Sequence, residues 1–263
     1  TFFPRWWMED QAEVDRLFFA SSMPSPVTQP LFDEGRRLGV GYYIGYGELA
    51  HEGGRTRRFN TAILVAPDGS IVGKYRKVHL PGHADHKPQA AFQHLEKKYF
   101  EVGDIGFKVW RYMDTITGML ICNDRRWPEA FRVLALQGAE LVALGFNTPT
   151  ENLHYPEPPA LRVHHHLIMA QSMAFQNATW LVETAKCGAE DGFRMFGHSL
   201  IVAPTGEIAA KTTTEEDEVV CFNADIGLAQ NLKQTMFNFA AHRRPEHYKL
   251  IVERVGAEVT PEN

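Results

Sequence analysis

Short apolar runs alternate along this chain with longer mixed stretches, the pattern of strands and helices in an α/β layered fold. The clearest stretch begins at residue 118. Residues 118–122 form an apolar run that reads as a strand and brings Cys122 to its end. Polar residues follow at once, and Trp127-Pro128-Glu129 opens a helix over 128–138, with Pro in the first turn and Gly at the end. Residues 140–146 read as a second strand. Elsewhere one order occurs twice. A helix over Gln29–Leu38 precedes a β-like run at 40–46, and a helix over 161–176 precedes one at 179–184. Each pair leads to a β-rich run, a Pro-x-Gly turn and a second run, at 63–74 and at 200–211.

The repetition predicts two similar halves, and hence two mixed sheets packed face to face with helices outside. Only the second half shows the strand–helix–strand of 118–146. A counterpart of about forty residues is therefore expected ahead of Thr1.

The chain has 263 residues, 44% of them hydrophobic, and a formal charge of −5. That fits one domain over 1–263 with a single core. It argues against a nucleic-acid or anionic-membrane surface. No long uncharged apolar run suggests a transmembrane helix. Cys122, Cys187 and Cys221 are odd in number and widely spaced, which favours free thiols and a cytoplasmic setting.

Cysteines at strand ends are usually inert, but Cys122 is followed by Asn123-Asp124-Arg125-Arg126, costly to bury for packing alone. A strand-to-helix turn can hold a nucleophile exposed, with backbone N–H groups and cations favouring its thiolate. The two arginines point to an anionic substrate. Lys77 ends the run Lys74-Tyr75-Arg76-Lys77, which would normally be a solvated edge, but Val78-His79-Leu80-Pro81-Gly82 turns the chain inward. A lysine beside a thiolate would stabilise an acyl-transfer oxyanion. Glu96 alone reads as a surface residue of a charged helix. Asn147 and Thr148 close a strand, where α/β folds carry sites. His164, His165 and His166 are adjacent on a helix and point about 100° apart, so they cannot converge on one metal. Gly45-Tyr46-Gly47 lacks the third glycine of a dinucleotide loop.

Tyr75-Arg76-Lys77-Val78-His79-Leu80 and Cys122-Asn123-Asp124-Arg125-Arg126-Trp127-Pro128-Glu129 resemble the lysine and cysteine motifs of the nitrilase superfamily of carbon–nitrogen hydrolases. Pro81-Gly82-His83, Phe92-Gln93-His94-Leu95-Glu96-Lys97, Asn147-Thr148-Pro149-Thr150, Gly197-His198-Ser199 and Phe237-Asn238-Phe239 extend the likeness over essentially the whole chain. They are most similar to the branch acting on N-carbamoyl-D-amino acids. The resemblance implies a four-layer αββα sandwich. It implies Cys122 as nucleophile, Lys77 as oxyanion stabiliser, and Glu96 as the glutamate that orients Lys77 and the substrate. His79 and His94 would line the pocket. Arg125 and Arg126, with Asn123, Asn147 and Thr148, would hold the substrate carboxylate. No metal or organic cofactor is implied, and a homo-oligomer, dimer or tetramer, is. The family's Glu–Lys–Cys triad takes its base from a Pro-Glu in the segment expected ahead of Thr1, and no glutamate here matches it. The 263 residues alone are thus expected to be inactive. The alternatives are an amidohydrolase for β-ureidopropionate or carbamoylputrescine, and a catalytically dead scaffold.

Overall fold

The computed structural model describes residues 5–90, 93–151 and 157–259. Residues 1–4, and Phe92 of the Phe92–Lys97 motif, lie outside the described residues.

The first sheet runs β1-β2-β3-β4: β1 (Phe19–Ala20), β2 (Tyr42–Glu52), β3 (Arg55–Val65) and β4 (Ile71–Arg76). Before β1 lies helix α1 (Gln11–Phe18), and between β1 and β2 lies α2 (Gln29–Leu38). β1 pairs with β2 in parallel only at Gly47 and Glu48, while β2 and β3 pair without a break from Tyr42↔Val65 to Glu52↔Arg55. After β4 comes the single helical turn α3 (Glu96–Tyr99).

The second sheet begins with β5 (Val109–Tyr112), β6 (Thr115–Ile121), β7 (Leu141–Phe146) and β8 (Trp180–Ala185). A small hairpin, β9 (Ala189–Glu190) with β10 (Phe193–Arg194), precedes β11 (Leu200–Val202) and β12 (Ile208–Lys211). The spatial order is β12-β11-β8-β7-β6-β5. The three central strands β6, β7 and β8 are parallel, joined by helices α4 (Pro128–Leu136) and α5 (Pro159–Asn177).

The sheets face one another. Ala62, Leu64 and Tyr75 of the first meet Met119, Leu120, Ile121, Val142 and Leu144 of the second in one core. The Tyr43 hydroxyl crosses the interface to donate to the Leu120 carbonyl at 3.0 Å. Phe32 of α2 packs with Ile63 and Val65 on the outside of the first sheet, and Phe131 and Leu134 of α4 and Ala170 and Ala174 of α5 cover the second. α4 approaches so closely that a Cβ on Gly118 would lie 2.8 Å from Leu134. The layers are helix, sheet, sheet, helix.

The two expected hairpins are twins in geometry. Gly69 and Gly206 turn them with φ of 84° and 86°. Ala66 N–H donates to Ser70 O at 2.8 Å and Ala203 N–H to Glu207 O at 2.9 Å. Both ladders shift register in the same place, between Leu64 and Val65 and between Ile201 and Val202. α2 has the expected bounds, and α4 stops at Leu136, before Gly138 at φ 92°. Sequence reasoning missed α1, and it stopped β2 at residue 46 although the strand runs on to Glu52. No helix among the described residues is long and apolar enough to cross a membrane.

Candidate active site

β6 delivers Cys122, and the chain then makes a 3-10 turn, Cys122–Arg126, before α4 begins. Cys122 has φ +47°, a left-handed conformation that is costly for a residue with a Cβ and is held only where the surroundings fix it. Asp124 does the fixing. Its buried carboxylate accepts from Ile121 N–H and the Tyr75 hydroxyl on Oδ2, both at 2.9 Å. Oδ1 accepts from His79 N–H at 3.1 Å and His79 Nδ1 at 2.8 Å. Four donors satisfy the carboxylate and tie the cysteine turn to the segment after β4. The His79 ring stacks between Phe107 and Trp127, with centroids 5.8 and 5.2 Å away.

That segment also carries Lys77, 1% exposed. Lys77 N–H donates to Asn60 O, extending the β3–β4 ladder by one rung, and Gly103 N–H donates to Lys77 O, each at 2.8 Å. The backbone passes so near that a Cβ on Gly103 would sit 2.0 Å from Arg76 O. Lys77 Nζ donates to Glu96 Oε1 at 2.5 Å, Asn60 Nδ2 donates to the same oxygen at 2.9 Å, and His94 Nε2 lies 3.5 Å from Oε2. Burial opposes both charges. For Glu96 the Lys77 ammonium and His94 outweigh it and hold the carboxyl at about 2. For Lys77 the charges of Glu96 and Cys122 outweigh it, so its pKa is raised. The cationic run is no solvated edge: Arg76 is buried in ion pairs with Glu48, Glu52 and Asp104, and Lys74 pairs with Glu48. Glu96 is likewise buried rather than on a surface helix face.

Arg125 is 3% exposed, with its guanidinium 3.8 Å from the Phe146 ring centroid. Among the described residues its Nε and Nη1 have no hydrogen-bond partner. Burial, and then the charge of Arg126, lower its pKa to about 10. A cavity of about 240 Å³ opens beside it, lined among others by Arg126, Thr148, Arg162, His166 and Phe196. Arg126 is exposed and donates to Asn123 Oδ1 at 3.1 Å, while Asn123 Nδ2 donates to His79 O at 3.2 Å. Asn123 thus braces the turn. Asn147 lines a different space, a groove of about 620 Å³ beside Tyr43, Gly145 and Lys186, and donates to Glu190 at 3.4 Å. Thr148 reaches the arginines and Asn147 does not.

Sequence reasoning missed Asn60, Tyr75, Arg162 and the pairing role of Asp124. Asn60 had a signal, because continuing the hairpin register from Thr61↔Arg76 places it opposite Lys77. Of the adjacent histidines, His165 lies near Glu157, and His166 is buried against Glu183.

The arrangement offers a thiol on a strained turn, a buried ammonium sensitive to that thiol's charge, and a partly unsatisfied guanidinium. The Cys187 thiol instead donates to Asp217 at 3.2 Å, and that bond raises its pKa and disfavours its reactive thiolate. Substoichiometric alkylation followed by peptide mapping is therefore expected to modify Cys122 first. Prior labelling of Cys187 or Cys221 would refute this.

Residues 3–234 match the profile of the carbon–nitrogen hydrolase family. A nitrilase of Pyrococcus abyssi is 32% identical over 83% of this chain and 72% of its own length. An N-carbamoylputrescine amidase of Arabidopsis thaliana is 31% identical over 84% of this chain and 71% of its own. Among solved structures, a carbon–nitrogen hydrolase of Helicobacter pylori G27 superposes with a TM-score of 0.74 at 25% identity, covering 87% of this chain and 76% of the other. The superposition bears out the expected α/β sandwich.

Proposed function

Since this chain belongs to the carbon–nitrogen hydrolase family, we propose that it hydrolyses the ureido C–N bond of N-carbamoyl-D-amino acids. The observation that carries this reading is Arg125. A buried guanidinium with two nitrogens unpaired among the described residues, in a cavity shared with Arg126 and Arg162, suits a carboxylate, whose two oxygens match the planar fork. The ureido half is supported by the likeness to an N-carbamoylputrescine amidase. A carbamoylated diamine would bring a cation to this cavity, which the arginines would repel. The D configuration rests on the motif resemblance.

In this reading Cys122 Sγ attacks the ureido carbon, and the Lys77 ammonium holds the developing oxyanion. One amine leaves with a proton, giving an S-carbamoyl intermediate; water cleaves it to a carbamate, which breaks down to the second amine and carbon dioxide. The products are the D-amino acid, ammonia and carbon dioxide. Glu96 already accepts from Lys77 and Asn60, so taking the thiol proton falls to a further carboxylate, as the motif resemblance implies.

In the protein that also carries that carboxylate, replacing Arg125 with Ala is expected to lower kcat/KM for an N-carbamoyl-D-amino acid by about 2–5 kcal/mol, the scale of breaking a buried charge contact. An N-carbamoyl amine without a carboxylate should be nearly unaffected. Equal losses on both would make Arg125 structural and remove the substrate assignment.

A further inference from the structure

Part of the arginine cavity hangs on a hairpin that an arginine far away in sequence holds in place. Thr148 and Phe196 line that cavity and belong to two paired segments. Phe196 N–H donates to Thr148 O at 2.7 Å, Thr150 N–H donates to Arg194 O at 2.8 Å, and Pro149 bridges Met195 between them. Arg162, also in the lining, donates from Nη1 to Thr150 O at 2.8 Å. The Phe196 ring lies 6.3 Å from that of Phe146, on which the Arg125 guanidinium rests. Thr148, Phe196 and Arg162 thus share one support, the segment 194–196.

That segment is the outgoing arm of the β9–β10 hairpin. The hairpin leaves the end of β8 and is closed by bonds from Gly197 N–H to Lys186 O at 2.9 Å and from Met195 N–H to Gly188 O at 2.7 Å. It turns at Asp191 and Gly192, with φ of 53° and 80°, positive at both as a two-residue hairpin turn requires. Its strands form a sheet of only two, which is marginally stable by itself. Arg5, 5% exposed, clasps it. Nη1 donates to Glu190 O at 2.9 Å, and Nη2 donates to Glu190 Oε2 at 3.3 Å and to Met195 Sδ at 3.7 Å. The guanidinium also lies 4.9 Å from the Phe193 ring centroid. One planar group therefore grips both arms. The Glu190 carboxylate accepts in turn from Lys186 at 2.7 Å and from Asn147 at 3.4 Å. Met195 directly precedes Phe196 and Asn147 directly precedes Thr148, so the clasp reaches both lining residues through their chain neighbours. Arg5 is itself held, because the Tyr99 hydroxyl of α3 donates to Trp6 O at 2.6 Å and accepts from Met8 N–H at 2.9 Å.

We propose that Arg5 is a positioning residue for the carboxylate subsite: by clamping the hairpin it sets Thr148, Phe196 and Arg162 around Arg125. The proposal rests on Arg125 as the carboxylate receptor. Arg5 is not in the lining of the cavity, so its influence on the substrate passes through the hairpin.

The test is steady-state kinetics of Arg5→Met in the protein that also carries the proton-accepting carboxylate. KM for an N-carbamoyl-D-amino acid should rise about tenfold, within the range for residues coupled through a shared backbone shift. The kcat should stay within about twofold, since the change loosens binding rather than chemistry. An N-carbamoyl amine without a carboxylate should keep its KM. In an Arg125→Ala background, Arg5→Met should add no further rise. Glu190→Ala removes a partly exposed carboxylate and should raise the same KM in the same selective way, by less, because Glu190 O still accepts from Arg5. It decides the matter if Arg5→Met does not fold. Equal losses on the two substrates, or an unchanged KM for the amino acid, overturn the proposal. If Arg125→Ala treats the two substrates alike, the carboxylate reading itself has failed. If Arg125→Ala separates them and Arg5→Met does not, only the role of Arg5 has.

Discussion

In the protein that also carries the proton-accepting carboxylate, Cys122→Ala is expected to lower kcat by roughly 10⁴- to 10⁶-fold, the loss seen when the nucleophile of a coupled catalytic unit is removed. Alanine keeps the Cβ, so the strain at φ +47° is unchanged and the hydrogen bonds of Asp124 can hold the turn as before. Arg125 is untouched, so the substrate Kd should stay within a few-fold of its original value, about 1 kcal/mol or less. The measurement is single-turnover hydrolysis beside equilibrium binding, with Cys187→Ala as control. A Cys122→Ala protein retaining a tenth of the original rate would place the nucleophile elsewhere.

The second large effect is on stability. Lys77→Met removes the ammonium from Glu96 and leaves a buried carboxylate with Asn60 and His94, a change that typically costs about 3–5 kcal/mol. The pH dependence has a definite sign. Glu96 is held at about 2 in the folded protein against 4.5 for the free group. That depression contributes about 3 kcal/mol at neutral pH. It is fully present above 4.5 and is lost as pH falls through 2. The raised pKa of Lys77 describes the same ion pair from its other end and is not added again; it fades only at high pH. Urea unfolding of the original protein and of Lys77→Met at pH 7 and pH 3 should show the stability gap narrowing in acid. An unchanged gap would mean the lysine stabilises through packing alone.

The hairpins were legible because Pro-x-Gly turns and apolar runs act within a dozen residues. The left-handed Cys122 was not, because its conformation is set by bonds from Asp124 to Tyr75 and His79, far away in sequence. Motifs singled out Lys77 and Glu96, yet only the fold shows that both are buried and bonded to each other. Asn147 and Thr148, adjacent in sequence, line different cavities, a separation that the motif does not show. Arg162 and His166 gave no local signal, since their place beside the arginines depends on which face of α5 is turned toward the cysteine turn.

The twin turns do not have equal freedom to change length. One residue inserted between Pro67 and Gly69 would slide β4 one place along β3 and exchange its inward and outward side chains. Lys77, one rung beyond that strand, would swing away from Glu96 with it. The same insertion at Thr205 would invert β12, an edge strand separated from β6 by β11, β8 and β7. Selection for activity therefore clamps the first turn at its present length and leaves its double free to drift, so two copies of one shape are open to unequal rates of change.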